Sequence, residues 1–439
     1  MSLRPLAALL VLLMGACAST PESSPAQGNA QLGQAAEDYV KLSLEIGERE
    51  PGYIDAYYGP AEWQDAAKAN VRAVPQLREA VAALSQRIAA VDEAALTPLE
   101  RRRRAFLSAQ LTAADTRLRM MAGEKLSFDD EAQGLFALRP QLQPLASYDA
   151  VLQDIERLLP GNGPLWQRVD NEVKGTAIPH DKLDAVMRAA IAECRRRTVP
   201  HIALPKDERF TLELVTKQPW SGYNWYKGNA TSLIQINTDL PVLMSRAVDL
   251  GCHEGYPGHH ALNMLLEQRM YKDHGWIEYT VYPLYSPQSF IAEGTANFGI
   301  ELAFPGDERL AFERDALYPL AGLDPALAQR AFELQRARGK LSGARLTIAR
   351  EYLDGRIDRA TALALAQKYQ LLSPERAEQQ IKFTEAYRSY VINYGLGLDL
   401  ARAYVDAAGP DEKARWAAME WMISGPTLPA ELLNPPASH

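Results

Sequence analysis

Residues 252–261 read CHEGYPGHHA and hold three of the seven histidines in the 439-residue chain. His253 and Glu254 match the start of an H-E-x-x-H metal site, in which a second histidine follows four residues later on the same helix face. Here the next histidines are His259 and His260. On an unbroken helix His259 would be rotated by about 120° from His253, and His260 would lie about 10 Å further along the axis. A continuous helix would therefore bring neither close to His253.

Pro257 and Gly258 predict a break in that helix. Proline lacks the N–H that would bond the carbonyl of His253, and its ring clashes with that carbonyl, whereas glycine tolerates the backbone angles of a bulge. Without these two residues the text would read H-E-G-Y-H, the spacing of a two-histidine metal site. We therefore expect the chain to loop out at Pro257 and Gly258, so that His259 returns to His253.

A third metal ligand is predicted in the segment SFIAEGTANFGIE, residues 289–301. The pattern indicates a buried helix in which Glu293 lies among apolar and small residues, and a buried carboxylate needs a partner such as a cation. Catalytic zinc sites use three protein ligands and leave one position for water. We therefore predict a Zn2+ site formed by His253, His259 and Glu293. His260 is expected to orient the substrate or a ligand, or to cap the second helix.

The rest of the chain predicts a mainly α fold. The first region, residues 31–200, is helical throughout, and residues 97–100 form a capping box that starts one of its helices. The second region, residues 201–439, contains β-formers at 209–217 (RFTLELVTK) and 231–237 (TSLIQIN), followed by further helices. We expect the two regions to form one catalytic unit. It would be a large, multi-helix, zincin-like architecture with a small β-sheet or hairpin next to the metal site.

The N-terminal residues MSLRPLAALLVLLMGACAST have the layout of a secretory signal peptide, with one arginine, an apolar stretch and then small residues. We predict a signal peptide at 1–16, lipidation of Cys17 and a flexible polar tether at 17–30. The expected location is the periplasmic side of the cell envelope, as an outer-membrane lipoprotein. Cleavage at an A-x-A site around Cys17, which would give a soluble periplasmic or secreted protein, is the alternative.

Composition narrows the choice of partners. Hydrophobic residues make up 47% and charged residues 23% of the chain, which is ordinary for a globular protein, and the net charge of -8 argues against nucleic acid. No apolar run reaches the roughly 20 residues that a membrane-spanning helix needs. Contact with a membrane is therefore expected only through the lipid anchor. Besides Cys17 the chain has Cys194 and Cys252, and whether these two pair is left open.

Three segments together resemble a bacterial family named domain of unknown function 885: HEGYPGHH (253–260), AEGTANFGIE (292–301) and YRSYVINYGLG (387–397). The resemblance extends from about residue 31 to the C-terminus. It implies a large, mainly helical protein, often a lipoprotein, with the character of a zinc-dependent metallopeptidase. It also implies His253, His259 and Glu293 as the metal ligands. The family's E-G-W-A-x-Y reads EGTANF at residues 293–298, which loses an aromatic residue and a tyrosine near the metal.

The predicted function is zinc-dependent hydrolysis of an amide bond, with a peptide as the expected substrate. A bound zinc ion would lower the pKa of its water towards 7 and polarise the scissile carbonyl, and Glu254 would act as general base. Tyr394 and Tyr390 are the candidate donors to the oxyanion, with Tyr394 as the predicted catalytic residue. Substrate binding is predicted for Tyr390, for Arg388 through a substrate carboxylate, and for Asn237 in a segment interpreted as an edge strand.

Two alternatives stay open. Two histidines and a carboxylate also form the facial triad of non-haem iron enzymes, in which Glu254 would have no assigned task. A non-catalytic cell-envelope scaffold with a structural metal site is the other alternative. Glu254→Gln separates them from a zinc hydrolase, because only in the hydrolase should it abolish turnover while the metal content stays the same.

Overall fold

The computed structural model describes residues 25–435, with side chains from residue 28 onward. The predicted signal peptide, Cys17 and most of the predicted tether lie outside the described residues. The first helix begins at Pro25, so helical structure starts within the segment 17–30 that the sequence predicts to be flexible. No helix among residues 25–435 combines the length and the apolar character that crossing a bilayer demands.

The fold is mainly α, as the sequence predicts. Up to Thr198 the helices of the described residues are α1 (Pro25–Arg49), α2 (Ala61–Ala69), α3 (Val74–Ala89), α4 (Pro98–Met121), α5 (Phe128–Phe136), α6 (Asp149–Leu158), α7 (Leu165–Val173) and α8 (His180–Thr198). Those that follow are α9 (Met244–Glu254), α10 (His259–Leu266), α11 (Pro287–Ala303), α12 (Glu308–Phe312), α13 (Tyr318–Ala321), α14 (Leu327–Gly339), α15 (Ser342–Leu353), α16 (Arg359–Gln370), α17 (Pro374–Tyr387), α18 (Ile392–Ala407), α19 (Glu412–Ile423) and α20 (Pro429–Leu432). The capping box predicted for α4 is confirmed, because Thr97 and Glu100 exchange hydrogen bonds between side chain and backbone.

Two small sheets accompany the helices. Their strands in the described part of the chain are β1 (Ile54–Tyr57), β2 (Arg209–Val215), β3 (Gly222–Tyr226), β4 (Thr231–Asn237) and β5 (Val281–Pro283). The three-stranded sheet has the order β2-β4-β3, with β4 parallel to β2 and antiparallel to β3. The predicted small sheet is confirmed. The edge strand predicted around Asn237 is wrong, because β4 is the central strand and both of its edges are paired.

The two predicted regions share one core. A single large cluster of buried apolar side chains extends from Leu32 to Leu432 and draws on helices from both regions. β1 also pairs with β5 in antiparallel fashion, which joins the N-terminal region to the segment just before α11. These two strands have four and three residues, too few for an alternating pattern to appear in the sequence.

α11 is buried along most of its length and packs closely on α18. At the crossing Gly294 faces Gly397, and a Cβ on Gly294 would lie 2.4 Å from the carbonyl carbon of Gly397. Only glycine permits this approach. The close packing brings the first turn of α18, which carries Tyr394, to the same cavity as Glu293.

Candidate metal centre

The helix that carries His253 ends one residue later, and a new helix starts at His259. Residues 255–258 between them are not helical. A Cβ on Gly258 would lie 1.9 Å from the carbonyl oxygen of His253, so only glycine fits at this position. The interruption predicted at Pro257 and Gly258 is therefore confirmed, and it is a full break between two helices.

The break brings three side chains to one point. The Nε2 atoms of His253 and His259 lie 3.1 Å apart. Oε2 of Glu293 lies 3.1 Å from Nε2 of His253 and 3.7 Å from Nε2 of His259. Ligand atoms bound at about 2.1 Å to a tetrahedral zinc ion stand about 3.4 Å from one another. The three atoms therefore surround a position that suits such an ion.

Oε2 of Glu293 supports this fit. It is buried and has no hydrogen-bond partner among the described residues, although Nε2 of His253 is only 3.1 Å away. The two atoms are close, but they are not aligned as donor and acceptor. Buried polar atoms without a partner are uncommon, and a cation would satisfy this one. Two imidazoles and one carboxylate are also an established donor set for catalytic zinc.

Two side chains that are not themselves predicted ligands orient the ligand residues through hydrogen bonds. Oδ1 of Asn297 lies 3.1 Å from Nδ1 of His253, which keeps the proton on Nδ1 and leaves the Nε2 lone pair for a metal. The amide nitrogen of Asn297 donates to the carbonyl of Tyr394 at 3.2 Å and so fixes the amide. The hydroxyl of Tyr390 donates to Oε1 of Glu293 at 2.7 Å, which leaves Oε2 free. Tyr390, predicted to bind substrate, thus lines the cavity while its hydroxyl is engaged by Glu293.

Glu254 lines the cavity beside the three ligands. Its carboxylate is nearly buried and makes no hydrogen bond or ion pair with a described residue. Its backbone carbonyl accepts a hydrogen bond from Asn224 at 2.6 Å, and Gly222 of β3 packs against the carboxylate. Burial raises the pKa of Glu254, while His253 and His259 oppose the rise. The backbone of Glu254 is thus fixed by a hydrogen bond, and its carboxylate, which has no hydrogen-bond partner among the described residues, can exchange a proton with water.

The charges at the centre are coupled. Burial works against the charge of Glu293, but His259 and His253 outweigh it and hold the pKa of Glu293 well below its usual value. Burial also opposes the charge of His259, yet Glu293, Glu254 and Asp55 together raise the pKa of His259 to about 9. Burial raises the pKa of Asp55 to about 7. Because a histidine ligand must be neutral, binding of a cation here releases a proton.

The cavity next to the ligands has a volume of about 50 Å³, which is room for water. Tyr394 stacks near His253, with ring centroids 6.3 Å apart, and its hydroxyl has no hydrogen-bond partner among the described residues. Burial, followed by the charge of Glu293, raises the pKa of Tyr394 well above its ordinary value, so the hydroxyl stays protonated. Tyr394 can therefore donate a hydrogen bond to a group that enters the cavity.

His260 does not reach this cavity. Its ring is fully buried between Ser232, whose hydroxyl lies 2.7 Å from Nδ1, and Glu208, whose carboxylate lies 3.2 Å from Nε2. Both ring nitrogens are thus engaged on the side of the sheet. Consecutive residues of a helix point about 100° apart, so only His259 turns towards the other ligands. The structure therefore does not bring His260, predicted to bind substrate, to the cavity.

Arg388 and Asn237 are also engaged elsewhere. Arg388 pairs with the buried carboxylate of Glu131 at 2.7 Å and does not line the cavity. The side-chain amide of Asn237 donates to the carbonyls of Gln218 and Trp220, each at 2.9 Å, and so closes the connection between β2 and β3. The structure therefore does not bring these two residues, both predicted to bind substrate, to the cavity, and their polar atoms make internal contacts.

Several cavity residues were not predicted from the sequence. β1 brings Asp55 to the cavity, where the hydroxyl of Tyr223 donates to its carboxylate. Tyr387, at the end of α17, lines the cavity as well. A single aspartate in a four-residue strand leaves no recognisable pattern. Asn297 did leave one, since it lies four residues after Glu293 and therefore on the same face of the helix.

Cys194 of α8 and Cys252 of α9 form a disulfide, which settles the pairing that the sequence left open. Cys252 directly precedes His253 in the chain. The bond therefore attaches the helix that carries one predicted ligand to α8, which packs against it.

No family model matches the sequence, and no curated protein matches it. The resemblance to the family named domain of unknown function 885 therefore stays a prediction.

Comparison with solved structures finds two distant similarities. A candidate lipoprotein from Colwellia psychrerythraea has 14% sequence identity and a TM-score of 0.49, over 81% of this chain and 65% of its own. An M32 carboxypeptidase from Deinococcus radiodurans R1 has 14% identity and a TM-score of 0.36, over 91% of this chain and 89% of its own. This chain thus spans 65% of the length of the Colwellia protein. Neither similarity carries an argument about function.

Proposed function

We propose that the protein is a zinc-dependent metallopeptidase. The observation that carries this proposal is the convergence of His253, His259 and Glu293 on one point, next to a carboxylate, Glu254, that no described residue engages. A zinc ion held by these three side chains would supply a Lewis acid for the scissile carbonyl and a water molecule of lowered pKa.

The chain's own groups move the proton and stabilise charge. Glu254 accepts a proton from the attacking water and returns it to the leaving nitrogen, a role that needs a free carboxylate facing the cavity. Tyr394 donates a hydrogen bond to the carbonyl oxygen as negative charge develops there. Asn297 and Tyr390 hold two of the ligands in the required orientation from behind.

A peptide is the substrate class that the surroundings favour. β3 is an edge strand of its sheet, and Gly222, Tyr223 and Asn224 of β3 line the cavity. An extended peptide can add to such an edge through main-chain hydrogen bonds. A groove of about 1430 Å³ also opens beside Glu254, large enough for several residues of a peptide.

Metal analysis combined with a peptide-cleavage assay tests the proposal. Purified wild type, Glu254→Gln and Glu293→Ala are analysed for metal and then incubated with a mixed peptide library. We expect about one zinc per chain in wild type and in Glu254→Gln, and cleavage by wild type alone. Glu293→Ala should lose its zinc because it loses one of three ligands. Glu301→Ala is the matched control, since Glu301 lies on the same helix but is paired with Arg402 outside the centre.

The outcomes separate the alternatives. Zinc retained by Glu293→Ala would refute the ligand set. Iron in place of zinc would favour the non-haem iron enzyme. Zinc-loaded wild type that cleaves no peptide would favour the scaffold.

We also propose that a lipid on Cys17 anchors the protein to the outer membrane on its periplasmic side. The support is the sequence of residues 1–30, which has a signal-like start followed by polar residues. Cys17→Ser should move the protein from the membrane fraction to the soluble fraction. A variant that stays with the membrane would place the attachment elsewhere in the chain.

A further inference from the structure

The groove beside the metal centre shares His253, Glu254 and Tyr394 with the cavity. The acidic side chains on its wall other than Glu254 are each bound to arginine: Asp249 to Arg246 and Arg309, Glu301 and Asp399 to Arg402, and Asp406 to Arg415. The charges of these groups are therefore already balanced by the protein.

Arg345 of α15 lies on the same wall of the groove, but no acidic side chain of the described residues pairs with its guanidinium. Its guanidinium forms no hydrogen bond and no ion pair with a described residue, and its Nε is buried without a partner. Its contacts are with aromatic rings: Cζ lies 5.1 Å from the ring centroid of Phe383 and 5.6 Å from that of Tyr394. The side chain is half-buried, and the arginine nitrogens that are removed from water are normally paired with an anion.

The electrostatic surroundings of Arg345 leave room for an added negative charge. Burial lowers the pKa of Arg345, Tyr394 and Glu293 oppose that effect, and Arg246 adds to it. Glu293 is also the carboxylate that a cation at the metal centre would neutralise. Once a cation neutralises Glu293, Arg345 would lose a negative charge that now offsets the effect of burial on its pKa. A guanidinium that lies against two aromatic rings, with its donors unused, is well suited to bind a carboxylate.

We infer that Arg345 binds a carboxylate of the substrate, so that the favoured substrates are peptides with a carboxylate near the scissile bond. This inference rests on the proposed peptidase function. It moves to Arg345 the role that the sequence suggested for Arg388. The carboxylate is either the C-terminal α-carboxylate or an aspartate or glutamate side chain.

The position of Arg345 limits where that carboxylate lies. The ring of Tyr394 is close to both groups: its centroid lies 5.6 Å from Cζ of Arg345 and 6.3 Å from the centroid of the His253 imidazole. The guanidinium and the imidazole are therefore at most about 12 Å apart. One to three residues of an extended peptide, at about 3.5 Å each, span such a separation. The carboxylate therefore belongs to a residue within about three positions of the scissile bond.

The test compares binding and cleavage of matched peptides. The probes are N-acetyl-tetraalanine as the free acid, the same peptide as its C-terminal amide, and the amide with glutamate placed at each position in turn. Binding is measured by calorimetry on zinc-loaded Glu254→Gln, and cleavage is measured on wild type. We expect one carboxylate-bearing probe to bind about 10- to 100-fold more tightly than the plain amide, because charge-assisted pairs contribute that much. Preference for the free acid assigns the α-carboxylate, and preference for a glutamate probe assigns the side chain.

Variants identify the residue responsible. Arg345→Gln in the Glu254→Gln background should remove the preference, and Arg345→Lys should keep part of it. Arg402→Gln is the matched control, because this arginine lies on the same wall but is already bound to Glu301. The control should keep the preference in full. Since the guanidinium of Arg345 has no hydrogen-bond or ion-pair partner among the described residues, Arg345→Gln should also keep the melting temperature of its parent.

The results separate the inference from the function on which it rests. Equal binding of all probes, or a preference that survives Arg345→Gln, would overturn the inference. Cleavage of every probe without regard to its carboxylate would also overturn it and would leave the peptidase proposal standing. Arg345-dependent binding of a carboxylate probe, without cleavage by zinc-loaded wild type, would support the inference and contradict the peptidase proposal.

Discussion

The Nε2 atoms of His253 and His259 lie 3.1 Å apart, although the two residues are six positions apart in the chain. In an unbroken helix this spacing would turn the side chains about 120° away from each other. The break at residues 255–258 returns the second imidazole to the first, and Gly258 is the position with the least space for a side chain. The metal centre therefore depends on the geometry of the break.

Gly258→Ala should abolish zinc binding and lower the stability of the protein. The added Cβ would lie 1.9 Å from the carbonyl oxygen of His253 and 2.4 Å from that of Cys252, so the backbone that carries the ligand has to move. We expect a loss of about 3 kcal/mol or more in the free energy of unfolding. Zinc content and urea unfolding measure the two effects.

Gly33→Ala is the control for that experiment. It places the same methyl group in α1, where a Cβ meets nothing within 4 Å. This variant should bind zinc normally and gain up to about 1 kcal/mol in stability, because alanine favours a helix over glycine. Normal zinc content in Gly258→Ala would show that the break tolerates a side chain and would contradict the close approach.

Asn297→Ala should weaken zinc binding by about 10- to 100-fold with little effect on the fold. The variant removes the acceptor that lies 3.1 Å from Nδ1 of His253, so the imidazole loses its fixed tautomer and orientation. Competition with a chelator measures the affinity. Asn297→Asp should restore most of it because a carboxylate oxygen can still accept from Nδ1. Asn171→Ala, at an exposed position, is the control and should leave the zinc affinity unchanged. Unchanged affinity in Asn297→Ala would mean that packing alone orients the ring.

The parts of the centre that could be predicted depend on local chemistry. Proline and glycine at 257 and 258 interrupt a helix whatever surrounds them, so the sequence indicates the break directly. Glu293 stands out because a lone carboxylate in an apolar helix needs a partner. The small sheet was visible in the same way, through its clusters of β-formers.

The parts of the site that could not be predicted depend on contacts between segments that are distant in the sequence. Arg388 and Tyr390 are two positions apart, yet one is bound to Glu131 and the other to Glu293. Arg388 opens a 3-10 turn with a φ of 52°, which a helical pattern cannot anticipate. The role of Arg345 could not be predicted from the sequence. Its lack of an acidic partner depends on how distant segments pack around it.

Reduction of the Cys194–Cys252 disulfide should lower the stability of the protein. The two cysteines are 58 positions apart, and cross-links over loops of this size contribute about 2–4 kcal/mol to the free energy of unfolding. Urea unfolding with and without dithiothreitol measures the difference. A Cys194→Ala, Cys252→Ala double variant should unfold like the reduced protein and should not respond to the reductant. Wild type with a midpoint insensitive to dithiothreitol would show that the bond adds no stability.

Glu208 should make the stability of the protein depend on pH in the acid range. Burial disfavours its charge, but hydrogen bonds from His260, Tyr256 and Arg195 outweigh burial and lower the pKa of Glu208 to about 2. In an unfolded chain the carboxyl has its ordinary pKa of 4.5. The folded state thus binds the proton less readily than the unfolded state. The stabilisation is complete above about pH 4.5 and is lost as the pH falls towards 2.

Glu208→Gln should therefore lower the free energy of unfolding at pH 7 by up to about 3 kcal/mol, and the difference from wild type should shrink between about pH 4.5 and pH 2. Urea unfolding at several pH values measures this difference. Glu79→Gln, at an exposed position, is the control and should match wild type at every pH. A loss of stability that stays constant from pH 7 to pH 3 would mean that Glu208 stabilises the fold through packing and not through its charge. Tyr256 lies within the helix break and His260 is in the first turn after it. A pH-dependent loss would therefore attribute part of the rigidity of that break to the negative charge of Glu208.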